Sequence, residues 1–284
     1  MNCHGAPTPA CVSPPHDKAQ GGPGRGVGGV CGGGQPAYAF NPAVVPDRAL
    51  AFRKLAFSLD DSVTYTWLRG RRYGLHQGRL YPFWDMVVGT MLRVADHGGG
   101  RYDVTSIGAS VYTDVTSGKK IESFDNPLTG KRVKIGFFPP VPQTIGFGPE
   151  GRVDTPRGVL AGLERTAVTG PVWVEGDDVF VAGDTMLHGD LDHRPVHVND
   201  LTTYVGRLRD VMDPKQRNPP ARIIFNDLNT WPPWLEMGDI EGVYVSRAFG
   251  RKVFALGDMP ALWVAEMNRL VPGIGRDPSF ALSK

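Results

Sequence analysis

The stretch Trp67-Leu-Arg-Gly70 opens a run of β-type sequence that continues through Trp84-Asp85. A similar tetrapeptide, Trp173-Val-Glu-Gly176, opens a second run, which passes through Asn199-Asp200. An internal repeat indicates architecture before any single motif does. Two related β units in one chain predict a single duplicated barrel or sandwich, with any ligand site where the two halves meet.

Short segments rich in Val, Thr, Tyr and Trp fill both runs, and turns rich in Gly, Pro and Asn separate them. This pattern predicts a mostly β fold, a duplicated antiparallel β-barrel or sandwich of the lipocalin-like or split-barrel kind. The related halves span about residues 47–140 and 171–255 of one domain, 37–284. Helices are expected near both ends, the first capped by Asp47 and the last starting at Asp258.

The composition argues against a strongly charged or membrane-embedded partner. The 284 residues include 31 basic and 29 acidic side chains, for a net charge of +2, so no strong field for nucleic acid is expected. No apolar run approaches the roughly 18–20 residues that cross a bilayer. The sequence therefore predicts a small apolar molecule as partner, no nucleic acid and no membrane, and it leaves a homodimer open.

All three cysteines, Cys3, Cys11 and Cys31, lie near the N-terminus. The segment 1–36 is rich in Gly and Pro and contains no Leu, Ile or aromatic residue. This composition predicts a disordered leader. The segment would be explained if the true translation start lies downstream of Met1. It has neither the basic start nor the apolar stretch of a secretory signal. A cysteine-free globular part without a signal favours a cytoplasmic location.

An ordered set of short segments runs through the chain after the first helix. The segments are Ser58-Leu-Asp-Asp61, Trp67-x-x-Gly70, Tyr112-Thr-Asp114, Asn126-Pro-Leu-Thr-Gly130, Trp231-Pro-Pro-Trp234 and Gly250-Arg-Lys252. In this order they resemble the uncharacterised family of domain of unknown function 1838 (DUF1838), over about residues 47–280. The resemblance implies no established catalytic residues. It also implies an export-type leader, which the segment 1–36 does not resemble.

Four carboxylates are the candidates for acid–base catalysis. Asp85 and Asp200 occupy corresponding places in the two runs, each beside an apolar β segment. If both point into one cavity, burial would raise the pKa of each carboxyl group toward a useful range. Asp227 and Glu236 lie on either side of the segment Trp231-Pro-Pro-Trp234. They add two carboxyl groups that can accept or donate a proton. The alternative is that these acids brace turns or face solvent.

Aromatic residues supply the candidate walls of a pocket. Trp231 and Trp234 flank a rigid Pro-Pro pair, which would hold their rings in place for a flat apolar ligand. The alternative is that they close the end of a barrel. The full set of expected substrate-binding residues is Trp67, Tyr73, Trp84, Tyr204, Trp231, Trp234 and Arg247.

A histidine-rich loop offers a metal site as a further alternative. His188, His193 and His197 lie within ten residues together with two aspartates, and imidazole and carboxylate groups suit Zn, Fe or Mn. Pro195 prevents the helix that would put His193 and His197 on one face, and in a strand these residues would lie about 13 Å apart. A solvated hairpin tip or a substrate-contacting loop explains the residues better, so neither a metal nor a cofactor is predicted.

Together these residues predict a cofactor-independent enzyme that transfers protons. It would be an isomerase or lyase acting on a small apolar molecule, aromatic or terpenoid, inside the barrel. The sequence contains no phosphate-binding, zincin or serine-hydrolase motif. Two alternatives stay open: a non-catalytic lipocalin-like binder, and a metal-dependent oxygenase or hydrolase built on the histidine loop.

Overall fold

One antiparallel sheet dominates the fold. The computed structural model describes residues 39–136, 139–153, 163–191 and 194–282, and the expected leader, 1–36, lies outside the described residues. The chain separates into two compact units, Met1–Ala39 and Phe40–Lys284, of which the second holds every element named below. Its described helices are α1 (Val45–Ala56), α2 (Leu208–Met212) and α3 (Ala261–Leu270).

The strands fall into two sets that follow each other along the chain. The first set is β1 (Thr64–His76), β2 (Arg79–Gly98), β3 (Arg101–Thr113), β6 (Gln143–Gly148) and β7 (Gly151–Arg152). The second set is β8 (Glu164–Glu175), β9 (Asp178–Leu191), β10 (Arg194–Arg207), β11 (Arg222–Asn229) and β12 (Val243–Val253). Between them, β4 (Ser123–Asp125) and β5 (Arg132–Lys134) form a separate small hairpin.

The ten strands of the main sheet form an up-and-down meander. Their order is β7-β6-β3-β2-β1-β12-β11-β10-β9-β8, so the first and last strands of the chain pair with each other. The two edges also approach, because a Cβ on Gly151 of β7 would lie 3.1 Å from Thr169 Oγ1 of β8. The sheet is a nearly closed antiparallel barrel, which confirms the predicted mostly β barrel with few helices.

Helix α1 fills one end of the barrel from the inside. Phe52 and Leu55 pack against Gly183 of β9 and Gly206 of β10, where an added Cβ would come within 2.6 and 2.3 Å of these side chains. The two glycines therefore make room for the helix. Lys252 Nζ donates to two main-chain carbonyls near the C-terminal end of α1, groups that the helix itself leaves unpaired.

Aromatic side chains fill the opposite end of the barrel. Trp84 is fully buried, and its ring centroid lies 4.7 Å from that of Phe124 on β4 and 5.8 Å from that of Trp234. Trp231 and Tyr244 belong to the same cluster. The two tryptophans of the Pro-Pro segment thus pack across the end of the barrel, as the structural alternative proposed.

Helix α3 covers the outer face of β2 and β3. Trp263 is fully buried, and its Nε1 donates to the carbonyls of Gly89 at 3.1 Å and Ala109 at 3.0 Å. The predicted cap of this helix is wrong, because α3 begins after Pro260 and Asp258 lies in the preceding turn. No described helix is both long and apolar enough to cross a membrane.

The predicted cap of α1 is also wrong. Val44 occupies the N-cap position and makes no side-chain capping bond. Asp47 is buried inside the first turn, where its carboxylate accepts a hydrogen bond from the main-chain N–H of Asn41 at 2.6 Å. The carboxylate therefore fastens the preceding loop to the helix.

Candidate functional site

A row of polar side chains crosses the inside of the barrel beneath the aromatic end. Trp84 on β2 pairs with Arg72 on β1, which pairs with Ser246 on β12. Ser246 pairs with Asp227 on β11, and Asp227 pairs with Asp200 on β10. Because directly opposite residues in a sheet share a face, these five side chains all point inward. We call them the inner row.

An ion pair forms the centre of the inner row. Arg72 Nη1 donates to Asp227 Oδ2, and the two side chains are only 17% and 2% exposed. The Arg72 guanidinium carbon also lies 4.8 Å from the ring centroid of Tyr244. Removal of one partner from a buried ion pair of this kind leaves the other charge buried and uncompensated, which is strongly destabilising.

Asp200 lies beside this ion pair and makes no hydrogen bond or ion pair in the described part of the chain. The pKa of its carboxyl group is raised to about 6, mainly by burial and also by the negative charge of Asp227, against the lowering effect of Arg72. The residue retains some accessible surface. A partly accessible carboxyl group of this pKa can exchange a proton near neutral pH.

Several polar atoms of the inner row have no partner. Arg72 Nε, Asp227 Oδ1, Ser246 Oγ and Trp84 Nε1 are buried without a hydrogen bond among the described residues. An unpaired buried polar group is costly, and such groups in native proteins usually receive bonds from water or ligand. The inner row therefore presents three donors and two carboxylates to a small polar group.

A cavity of about 240 Å³ lies along β3, and no member of the inner row is among its lining residues. Thr90, Ser106, Ser110 and Tyr112 line it with hydroxyl groups, and Tyr112 lies close enough to Arg72 for their charges to interact. Strand β3 pairs with β6 only as far as Ser106, so the cavity lies along the unpaired part of β3. Its other lining residues are Val88, Gly89, Gly108, Ala109, Pro139, Val141 and Gln143.

Two of the four predicted carboxylates do not reach this site. Asp85 points to the outer face of the barrel, where it is held by Arg71 through bonds of 2.5 and 3.0 Å. Glu236 is exposed at the end of a short turn, 3.8 Å from Lys131. The expected convergence of four acids is therefore wrong, and only Asp200 and Asp227 come together.

The proposed correspondence between Asp85 and Asp200 is also wrong. Asp85 lies on the second strand of its set, whereas Asp200 lies on the third strand of the other set. The two residues face opposite sides of the sheet. Trp67 and Trp173, by contrast, both lie on the first strand of their sets.

The predicted substrate-binding residues are divided between the two faces. Trp84 and Tyr204 point inward, and burial raises the pKa of Tyr204 to about 12. Tyr204 packs against Phe52 of α1, with ring centroids 6.0 Å apart. Trp67, Tyr73 and Arg247 lie on outward positions of β1 and β12, away from the inner row.

Two of the three predicted histidines, His188 and His197, lie on the outside of the β9–β10 hairpin. His188 and His197 are directly opposite each other and exposed, and His188 Nε2 is 2.8 Å from the carboxylate of Glu164. His193 lies outside the described residues. Within the described ranges, no group of three or more His, Cys, Asp or Glu side chains is arranged to hold one metal ion.

Sequence reasoning missed Arg72, Ser246 and Tyr112. A signal for Arg72 was present, because two consecutive arginines in a strand point to opposite faces, so one of them faces the interior. Neither Ser246 nor Tyr112 carries a comparable signal. No family model, curated protein or solved structure matches the chain. Membership of the DUF1838 family stays a prediction.

Proposed function

We propose that this protein is a cofactor-independent enzyme that moves a proton within a small molecule held in the barrel, as an isomerase or lyase. The observation that carries the proposal is the inner row. It places an unpartnered carboxyl group of pKa about 6, Asp200, beside a second carboxylate that is already neutralised by Arg72. Two adjacent carboxyl groups in such different environments divide into one proton carrier and one fixed charge.

Asp200 is the proposed base. With a pKa of about 6 its carboxyl group is mostly ionised at neutral pH, yet its conjugate acid forms readily. It would remove a proton from a carbon next to a carbonyl group. The C–H bonding electrons would form a carbon–carbon double bond as the C=O π electrons move to the oxygen, which gives an enolate. Return of the same proton to the γ-carbon of a conjugated enolate completes an isomerisation. Loss of a leaving group from the β-carbon completes a lyase reaction.

The donors of the inner row are the proposed stabilisers of the enolate. Arg72 Nε, Ser246 Oγ and Trp84 Nε1 have no partner among the described residues and are donors carried by three adjacent strands. Preorganised donors of this kind stabilise charge that develops in the transition state. Asp227 holds the Arg72 guanidinium in place through their ion pair.

We take the cavity along β3, whose lining residue Tyr112 lies near Arg72, to set the size of the substrate. About 240 Å³ accommodates a compact molecule, smaller than the drug-sized ligands that occupy pockets of roughly 300–1,000 Å³. Its hydroxyl-rich wall favours a ligand with polar oxygen atoms over the wholly apolar molecule expected from the sequence. A small cyclic ketone with one or two further oxygen atoms fits these requirements.

Hydrogen–deuterium exchange at carbon tests the proposal. The protein is incubated in D₂O with a panel of small cyclic ketones, and loss of α-proton signals is followed by NMR. The wild-type chain should accelerate exchange for at least one ketone, and Asp200→Asn should abolish the acceleration. Asp85→Asn is the matched control and should exchange at the wild-type rate. Binding of a ketone without exchange would instead support the non-catalytic carrier.

A further inference from the structure

Three neighbouring strands carry no acidic side chain on their outer face. Strands β1 and β12 contain no Asp or Glu at all, and the one acid of β11, Asp227, points inward. The outward positions of these strands instead carry several arginines and aromatic rings. The net charge of +2 for the whole chain conceals this local excess. We call it the arginine–aromatic face, and it comprises Trp67, Arg69, Arg222, Arg247, Phe249 and Arg251.

The arginines of this face are poorly neutralised. Arg222 and Arg251 are directly opposite each other, an arrangement that like charges disfavour. Arg222 shares Asp178, 3.7 Å away, with a further arginine. Arg69 and Arg247 are exposed and make no ion pair in the described ranges. An anionic partner would relieve this repulsion.

An exposed ring stands among these charges. Phe249 is 66% exposed, pairs with Arg69 on β1, and has Arg247 and Arg251 two positions away on its own strand. A second ring, Trp67, lies 5.2 Å from the Arg251 guanidinium carbon. Alternate residues of a strand are about 7 Å apart on one face, so cations and rings alternate at short intervals.

A groove of about 730 Å³ runs along the same face. Its apolar walls include Phe180 and Ile224. Its charged lining residues are Arg207, Arg222, Arg251 and Lys252, together with the two carboxylates Asp178 and Asp210. A flat ring that is attached to an anionic backbone can enter such a groove while the backbone stays beside the arginines on the rim. A lipid surface would meet protruding side chains and would leave the walls of the groove uncovered.

We propose that the arginine–aromatic face binds single-stranded nucleic acid. The arginines contact phosphates, and Phe249 provides a platform on which an unpaired base stacks. A single strand fits better than a duplex, because only unpaired bases can reach a ring that lies on a sheet. This binding is independent of the inner row, which lies on the other side of the same strands.

Fluorescence anisotropy with a labelled 12-nucleotide single strand tests the proposal on the full chain. Three or four phosphate contacts should give a slope of log affinity against log salt of about −2 to −3. The triple variant Arg69→Ala, Arg247→Ala, Arg251→Ala should weaken binding at least tenfold and flatten this slope. Phe249→Ala should weaken binding roughly fivefold or more, and Phe249→Trp should restore it.

Matched controls separate this site from general attraction to charge. The double variant Arg101→Ala, Arg276→Ala removes two exposed arginines elsewhere and should bind as the wild type does. Asp200→Asn should also bind normally, so a failed proton-transfer assay leaves this result intact. Absence of binding at 50 mM salt would overturn the proposal, as would equal affinity in all variants. Preference for anionic vesicles or an acidic peptide over the strand would overturn it in favour of those partners.

Discussion

Two consecutive arginines of β1 make the same kind of bond on opposite faces of the barrel wall. Arg71 holds Asp85 outside, where the two side chains are 37% and 35% exposed. Arg72 holds Asp227 inside, where the corresponding values are 17% and 2%. The outer pair satisfies both carboxylate oxygens, whereas Asp227 Oδ1 and Arg72 Nε of the inner pair have no partner among the residues that the structure describes. Burial thus makes the inner pair the more costly of the two to break.

The largest expected difference lies in the cost of breaking each pair. Asp227→Ala leaves the buried Arg72 charge without its partner and should lower the free energy of unfolding by about 3–5 kcal/mol. Asp85→Ala should cost below about 1 kcal/mol, because water replaces the lost carboxylate. Urea denaturation of both variants measures these costs. Similar values for the two would show that the inner pair is solvated.

The second-largest effect on the free energy of unfolding is expected for a substitution at Asp200. Its folded-state pKa of about 6 exceeds the usual value of 3.8, so the folded protein binds this proton more tightly than the unfolded chain does. Its contribution to stability is complete below pH 3.8 and is lost as the pH rises through 6. Asp200→Asn should therefore gain up to about 3 kcal/mol over the wild type by pH 7. Denaturation at a series of pH values measures the gain.

The control for the pH series is Asp85→Asn on the outer face. This variant should follow the wild-type dependence on pH. A gain for Asp200→Asn that is constant from pH 3.5 to pH 7 would contradict the raised pKa, because an amide substitution would then act through packing alone.

A smaller effect is expected at Ser246. The side chain is fully buried and its hydroxyl has no partner in the described part of the chain. Ser246→Ala removes an unsatisfied group and should leave stability unchanged or raise it by about 1 kcal/mol. The same variant should weaken binding of any ketone that the wild type accepts. A large loss of stability would mean that the hydroxyl already has a structural partner.

The smallest effect is the response to salt. Raising the ionic strength from 0.1 to 1 M shortens the Debye length from about 10 to 3 Å. The cost of Asp85→Ala should fall by about half over this range, because the outer pair is half exposed. The cost of Asp227→Ala should not change measurably. Equal sensitivity to salt would place both pairs in contact with bulk solvent.

The barrel could be predicted from the sequence because it depends on local patterns. Alternating segments, turn residues and the repeated Trp-x-x-Gly opening all indicate paired antiparallel strands. Which side chains share a cavity depends on strand register, which those patterns do not determine. Asp200 and Asp227 are opposite each other only because β10 and β11 pair in one particular register.

The misplacement of Asp85 has a specific physical cause. An irregularity between Arg72 and Tyr73 leaves Phe83 as an extra residue on β2 and shifts the pairing from that point. Trp84 then faces inward and Asp85 outward. Counting alternate residues through Phe83 gives the wrong face, because a bulge of one residue reverses the alternation. The prediction for Glu236 is wrong for a different reason, because this residue follows a short turn outside the sheet.

Both ends of the barrel are filled, which limits how a small molecule of the kind proposed above could enter. Helix α1 occupies one end and the cluster around Trp84 occupies the other. In the described part of the protein, the unpaired part of β3, which the cavity adjoins, would then be the route between solvent and interior. Uptake and release would then depend on how far this edge separates from its neighbours. Such a lateral route differs from that of cup-shaped barrels, in which the ligand enters through the open end of the barrel.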